Sequence, residues 1–297
     1  MVKNLSQVSR NEINQFLNSF DNILFDCDGV ILLGEKIIPG VKEAIEYLQA
    51  KDKGMKLITN NSFRTESDWD SVFENVDLDF RSEDVVFPTK AVVTYLQQLK
   101  FDKKVFVVGP PRMRKQFEES GLDVYKYKPC EQLRELHDIK DHALDDPEIG
   151  AVVVDLDFNL TYAKLVKAGI VLKRPDVHFI LCASDKTVPL GDNFKTIGSG
   201  FIGETLEMIS GRRPIVLGKP SSLYNNIVQD KFNLNPERTL FVGDSLITDM
   251  LFATRCGYQK LLVLSGTTSY QDMMNCPKDF APKYYLNSLA DLKTSLN

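Results

Sequence analysis

Apolar residues arrive along this chain in two rhythms. One is a short, mostly apolar run: residues 23–25, 55–58, 105–108, 151–154, 178–181, 215–217, 239–242 and 261–264 each read as a strand. Runs without polar alternation suit strands buried on both faces, the habit of parallel sheets. The other rhythm is helical. Ile13, Phe16 and Leu17 in residues 11–20, and Val41, Ile45 and Leu48 in residues 41–50, recur at intervals of three and four, which puts them on one helix face. Pro39 is placed to start the second of these and Gly54 to end it. Further helices are expected at 66–80 (with a turn), 89–99, 112–120, 162–172, 201–210 and 222–231, with a closing helix from Ser288. Strand alternating with helix implies right-handed crossovers between parallel strands, so the polar strand ends gather on one edge. Open α/β sheets take their ligands on that edge.

The fold class expected is therefore α/β: a Rossmann-like parallel-sheet core with an inserted α/β domain. A second strand-and-helix series occupies residues 104–210, closed by the punctuation Gly211-Arg212-Arg213-Pro214. The core is read as residues 1–103 and 211–297, with 104–210 inserted between its halves. Residues 85–87 read as a short connection, 131–148 as a long charged loop or broken helix, 215–217 as a strand resuming the core, and 284–286 as an edge strand.

Composition narrows the function classes. The 297 residues are 43% hydrophobic and 26% charged, an ordinary globular balance with ample material for a buried core. A net charge of -5 gives no electrostatic reason to expect nucleic acid or an anionic membrane. No run reads as a secretory signal or reaches membrane-spanning length, so a cytoplasmic protein is expected. Five scattered cysteines without a C-x-x-C pattern argue against a disulfide framework or a zinc site. Cys27 alone stands out, because it lies between two aspartates and its oxidation would perturb them. His137, His142 and His178 form no cluster.

The chemistry sits where the apolar runs stop. Residues 23–25 end in Asp26-Cys27-Asp28-Gly29. Two carboxylates two residues apart leave an extended backbone on the same side, and Gly29 lets the chain turn at once. Such a pair asks for a neutralising cation or a held proton, a magnesium site or an acid/base pair; a plain Asx turn is the unreactive alternative. Residues 55–58 end in Thr59-Asn60-Asn61-Ser62, 215–217 in Gly218-Lys219-Pro220, and 239–242 in Gly243-Asp244 with Asp249 five residues on. Each piece alone is a common turn or cap. Their order and equal placement at strand ends make a single site.

With these residues in this order, the chain resembles the haloacid dehalogenase superfamily of phosphatases, and within it the eukaryotic 4-nitrophenylphosphatase group that includes phosphoglycolate (glycerol phosphate) and pyridoxal phosphatases. The likeness runs from Phe25 to the tail near Leu292. It implies a Mg2+-dependent hydrolase of small phosphomonoesters. Asp26 would be the nucleophile that forms an aspartyl phosphate, and Asp28 the general acid and base, a role asking for a raised pKa while Asp26 stays ionised. The ion would be held by Asp26, the Asp28 main-chain carbonyl and Asp244, with Asp249 supporting. Thr59 and the amide of Asn60, with Asn61 beside them, would grip the phosphoryl oxygens, and Lys219 would neutralise charge. Removing Asp26 or Lys219 is expected to abolish turnover without unfolding. The insert would be the family's large cap, contributing Asp185 to the substrate and a surface through which relatives form homodimers.

Four places depart from that pattern. Cys182-Ala183-Ser184-Asp185 stands for Thr-Asn-x-Asp, Leu32 for an aromatic residue, Ser245 for an arginine and Ile247 for a polar residue. They make the surroundings more apolar and less cationic, which permits an apolar leaving group such as an isoprenyl chain; neutral drift accounts for them equally well. Two readings from other classes remain open: a phosphoaccepting receiver domain, which would need neither the insert nor Asp28, and an inactive binding or scaffold relative, which the complete set of charged residues opposes.

Overall fold

The computed structural model describes residues 2–128, 135, 137–189 and 194–294. Two compact units emerge, Met1–Val86 with Lys219–Asn297, and Phe87–Gly218. In chain order the strands are β1 (Lys3–Asn4), β2 (Asn22–Phe25), β3 (Leu32–Leu33), β4 (Lys36–Ile37), β5 (Gly54–Ile58) and β6 (Val85–Val86). The second unit supplies β7 (Lys104–Val108), β8 (Ile149–Val154), β9 (His178–Leu181), β10 (Thr187–Pro189), β11 (Lys195–Ile197) and β12 (Ile215–Val216). The first unit resumes with β13 (Thr239–Gly243), β14 (Gln259–Val263) and β15 (Tyr284–Leu286).

The first unit is built on one seven-stranded sheet in the order β1-β15-β14-β13-β2-β5-β6, and each neighbouring pair in it is parallel. Ile23, Leu24 and Phe25 of β2 and all of β13 are buried, as expected for strands covered on both faces. The chain winds outward from β2 through β5 to β6, then restarts at β13 on the other side of β2 and winds outward again. The reversal falls between β2 and β13, where Phe25 is paired with Val242. That crevice is where a doubly wound sheet opens to a ligand. Helix Arg10–Asn18 buries Ile13, Phe16 and Leu17 and is capped by Ser9, which accepts from the Glu12 amide. Helix Glu66–Asn75 starts on a reciprocal Thr65–Asp68 capping box and buries Trp69 and Phe73.

The second unit has its own parallel sheet, β12-β9-β8-β7, and an antiparallel hairpin of β10 with β11. It differs from the sequence reading in where it begins and ends. Helix Pro88–Gln98 belongs with it, since the rings of Tyr95 and Phe101 pack edge-on against His178 of β9, with centroids 6.3 and 6.0 Å apart. Its last strand is β12, which sequence reading assigned to the core because it follows the punctuation Gly211-Arg212-Arg213-Pro214; it pairs instead with β9, Ile215 opposite Ile180. A run of three apolar residues carries no mark of which sheet it joins.

Smaller differences have the same origin. Val85–Val86 is a strand, not a connection, and extends the sheet beside β5. Tyr284–Leu286 is not the edge, because Lys3–Asn4 pairs outside it. Hairpins of two- and three-residue strands, β3 with β4 and β10 with β11, are too short to leave a periodic signature. Of the segment 131–148, a helix at Asp138–His142 is described, while residues 129–134 and 136, Cys130 among them, lie outside the described residues. Among the described residues no helix is long and apolar enough to cross a membrane.

Candidate active site

The ladder between β2 and β13 runs one residue past Phe25, the Asp26 amide donating to the Val242 carbonyl at 2.9 Å. The chain then folds back on itself: the Cys27 carbonyl accepts from Ile31 at 3.0 Å and Leu32 at 2.9 Å. Gly29 makes the reversal with φ of +86°, and a Cβ there would stand 2.8 Å from Asp244 Oδ2, so no other residue fits. Beyond the turn the two aspartates meet different partners. Asp26 is buried and faces Lys219, with Nζ–Oδ1 at 2.7 Å. Asp28 is half-buried and accepts from Asn61 Nδ2 at 3.1 Å.

Lys219 joins the site from far along the chain. Its ammonium, only 2% exposed, bridges Asp26 Oδ1 and Asp249 Oδ1, each at 2.7 Å, and lies 5.5 Å from the Phe241 ring centroid. Its main chain is held by one side chain: Asn60 Oδ1 accepts from the Lys219 amide at 2.7 Å, and Asn60 Nδ2 donates to the Lys219 carbonyl at 3.0 Å. The Asn60 side chain therefore braces Lys219. Thr59 is 1% exposed, and its Oγ1 accepts from the Asn61 amide at 2.9 Å.

Asp249 follows β13 in a wide π-helical turn, Leu246–Met250, a local form found often at functional sites. The turn brings its carboxylate back over its own start, so that Oδ2 accepts from the amides of Asp244 and Ser245, both at 3.0 Å. Asp244 is fixed from the next strand: the Thr267 amide donates to its Oδ2 at 2.5 Å and the Thr268 amide to its carbonyl at 3.2 Å. Gly266 leaves room for that carboxylate, since a Cβ there would stand 2.0 Å from Oδ2.

Oxygens of Asp26, Asp244 and Asp249 lie within 4.8 Å of one another, all three residues buried. Against them stands one ammonium, so that with all three carboxylates ionised two negative charges have hydrogen-bond donors but no counter-charge. Burial, with Asp249 beside it, pushes the Asp244 carboxyl up to about 6. Burial likewise raises Asp26, against the pull of Lys219. Burial alone would lower the Lys219 ammonium, and Asp249 and Asp26 outweigh it and raise it. A nucleophilic carboxylate needs the opposite direction from the one Asp26 takes, and a divalent cation would supply it. The donor set fits a hard, oxygen-seeking ion such as Mg2+. Both Asp249 oxygens are already engaged by Lys219 and the two amides, so Asp26 and Asp244 are the side chains with oxygens to offer.

A haloacid dehalogenase-like hydrolase family model matches residues 23–123, and a second HAD-like hydrolase model matches residues 216–292. The chain is 33% identical over 283 residues to the chloroplastic phosphoglycolate phosphatase 1A of Arabidopsis thaliana, covering 94% of this chain and 78% of that one. It belongs to the haloacid dehalogenase-like hydrolases. A 4-nitrophenylphosphatase of Schizosaccharomyces pombe is 31% identical over 297 residues, 98% of this chain and 99% of that protein. Among solved structures, a 4-nitrophenylphosphatase of Thermotoga maritima superposes with a TM-score of 0.79 at 26% identity, covering 95% of this chain and 99% of that chain. With relatives of these names along its whole length, this member of the family is a phosphatase.

Of the residues that sequence reading assigned to this hydrolase's site, Asp26, Asp28, Thr59, Asn60, Asn61, Lys219, Asp244 and Asp249 lie in the first unit. Asp185 lies in the second, half-buried in the loop after β9, where its carbonyl accepts from the Gly200 amide at 2.9 Å. Cys27 is fully buried, and burial with Asp26 and Asp28 beside it pushes its thiol well up; the reactive thiolate that oxidation requires is disfavoured there. Sequence reading missed Ser265, whose hydroxyl donates to the Gly29 carbonyl at 2.6 Å, and Thr267. It also missed Arg64, which stacks 4.8 Å from the Trp69 ring centroid and donates to the Gly34 carbonyl at 2.9 Å. The signal for the first two was available: residues 261–264 also stop in small polar residues, Ser265-Gly266-Thr267.

Proposed function

We propose that this phosphatase hydrolyses a small organic phosphomonoester through a phosphorylated Asp26. The observation that carries the reading is the buried Asp26–Lys219–Asp249 bridge beside Asp244, set at the β2/β13 crevice. Asp26 attacks phosphorus, a P–O bond to the carboxylate forms, and the bond to the leaving oxygen breaks. Asp28, oriented by Asn61, gives its proton to that oxygen and then takes one from the water that attacks the acyl phosphate. Cleavage of the bond to Asp26 releases inorganic phosphate and restores the carboxylate. Lys219 keeps Asp26 aimed and offsets charge as the two anions meet. Asp26 and Asp244, with Asp249 behind them, would hold Mg2+, which when bound shields nucleophile from phosphate and stabilises developing charge.

Relatives that act on phosphoglycolate, glycerol 3-phosphate or 4-nitrophenyl phosphate by name support a small leaving group. A second reading, an apolar leaving group such as an isoprenyl chain, rests on Ile247, which is 70% exposed just beyond β13, while Leu32, the other apolar departure, is fully buried and gives it no support. The test is phosphate release from a panel spanning these classes, with Mg2+ and with chelator, on the protein and its Asp26→Asn variant. Turnover that needs Mg2+ and disappears in the variant is the expected result, and undiminished turnover in Asp26→Asn overturns the mechanism. Phosphoglycolate as clearly the best substrate would remove the apolar reading.

A further inference from the structure

Tyr224 is wholly buried in helix Ser222–Phe232, which begins three residues after Lys219. Its ring packs on Phe252, with centroids 6.1 Å apart, and by its place in the helix it reads as a core aromatic. A phenylalanine would fill the same space. The hydroxyl, however, stands 3.0 Å from the Thr59 carbonyl and 2.8 Å from the Val86 carbonyl. Those two carbonyls mark the point where the sheet stops: β5 and β6 last pair at Ile58 and Val86. One residue further, the Thr59 amide still donates to the Val86 carbonyl at 3.1 Å. Beyond that the strand pairing offers the Thr59 carbonyl no donor, and Tyr224 supplies one.

The peptide groups on both sides of Thr59 are thus fixed, one by β6 and the other by a side chain from the segment that carries Lys219. With the two bonds between Asn60 and Lys219, this ties the Thr59-Asn60 loop to residues 219–224 at three points. The geometry points to Tyr224 as a positioning residue, whose hydroxyl sets the Thr59 peptide so that the threonine side chain meets the phosphoryl group. The inference rests on the role proposed above for Thr59. Tyr224 itself does not touch the substrate.

A double-mutant cycle tests it, because a residue that acts through another adds nothing once the other is gone. Tyr224→Phe, Thr59→Ala and the double variant are assayed for kcat and KM on 4-nitrophenyl phosphate with Mg2+, and for competitive inhibition by inorganic phosphate. Losing one positioning hydrogen bond in Tyr224→Phe is expected to lower kcat/KM about tenfold and to weaken phosphate inhibition. Thr59→Ala is expected to lose about a hundredfold, the scale of one donor to a reacting oxyanion. The double variant should be no worse than Thr59→Ala. Tyr258→Phe is the control for a loosened helix: its hydroxyl donates to Asn225 Oδ1 at 2.5 Å on the same helix without reaching Thr59, so kcat/KM should stay within about twofold. Losses that multiply in the double variant, an unaffected Tyr224→Phe, or an equal loss in Tyr258→Phe each overturn the inference. An unaffected Thr59→Ala overturns it too, and removes Thr59 from the site while leaving a loss in Asp26→Asn to stand for the mechanism.

Discussion

Lys219 does two jobs with one ammonium. It faces the proposed nucleophile, and it is the only cation bonded to two of the three carboxylates buried around it among the described residues. The sequence leads one to expect a variant that is inactive yet folded; its burial argues otherwise. Removing one partner from a buried ion pair strands the other charge, at about 3–5 kcal/mol. Lys219→Met should therefore lose turnover and also unfold at a visibly lower denaturant midpoint, and an unchanged midpoint would show that the carboxylates are neutralised by other means. Polar residues such as Asp26, Thr59 with its asparagines, Lys219, Asp244 and Asp249 were legible because they end apolar runs. Ser265, Gly266 and Thr267 also close an apolar run, but they act through one hydroxyl, an absent Cβ and an amide, which residue type does not announce; Tyr224 hides among core aromatics and stands out from neither composition nor periodicity.

Among the elements, the turn after β2 has the least room to change. Gly29 combines φ of +86° with the 2.8 Å approach to Asp244 Oδ2 that a Cβ would make. Gly29→Ala should push the β3–β4 hairpin away from Asp244, cutting kcat/KM by a factor of about 100 or more, and the check is activity beside an intact circular dichroism spectrum. Undiminished activity would mean the turn can relax. The helices and central strands were legible because each is long enough to show its period: residues 41–50 against Val41–Gln49, and 112–120 against Pro111–Glu119. The π-helical turn was not, since the sequence of residues 246–250 reads as an ordinary helix start. It is the return of Asp249 Oδ2 to the Asp244 and Ser245 amides that holds it wide.

For the whole molecule, the cluster's charge couples stability to pH and to cations. The Asp244 carboxyl is raised from 3.8 to about 6 in the folded chain. Without a cation, the folded chain keeps a proton that the unfolded chain has released once pH exceeds the lower value. Stability from this group therefore falls as pH rises across that window and stays lower above it. A bound cation takes the proton's place, so Mg2+ should raise the thermal midpoint over chelator-treated protein clearly at pH 7.5 and little at pH 5.0. Equal shifts at the two pH values would rule out Asp244 as a ligand. At this scale the sequence conveyed the α/β class and an inserted second unit, while the seams at Val86 and Lys219 depended on which sheet β12 joins and which helix Tyr95 rides on, contacts that no local pattern encodes.

The winding of the first sheet also sets a timetable for synthesis. β2 emerges early with Asp26 at its end, yet the strand it pairs with on the other side of the crevice is β13, and Asp244 comes only with it. At translation rates of roughly 5–20 residues per second, Asp26 waits on the order of 10–40 s for Asp244, while residues 87–218 are made. Through that interval β2 has one open flank. A nascent chain halted before Lys219 holds Asp26 with no ammonium locked against it, and one halted before β13 still lacks Asp244 and Asp249, so the buried cluster is completed only after β13 has been made.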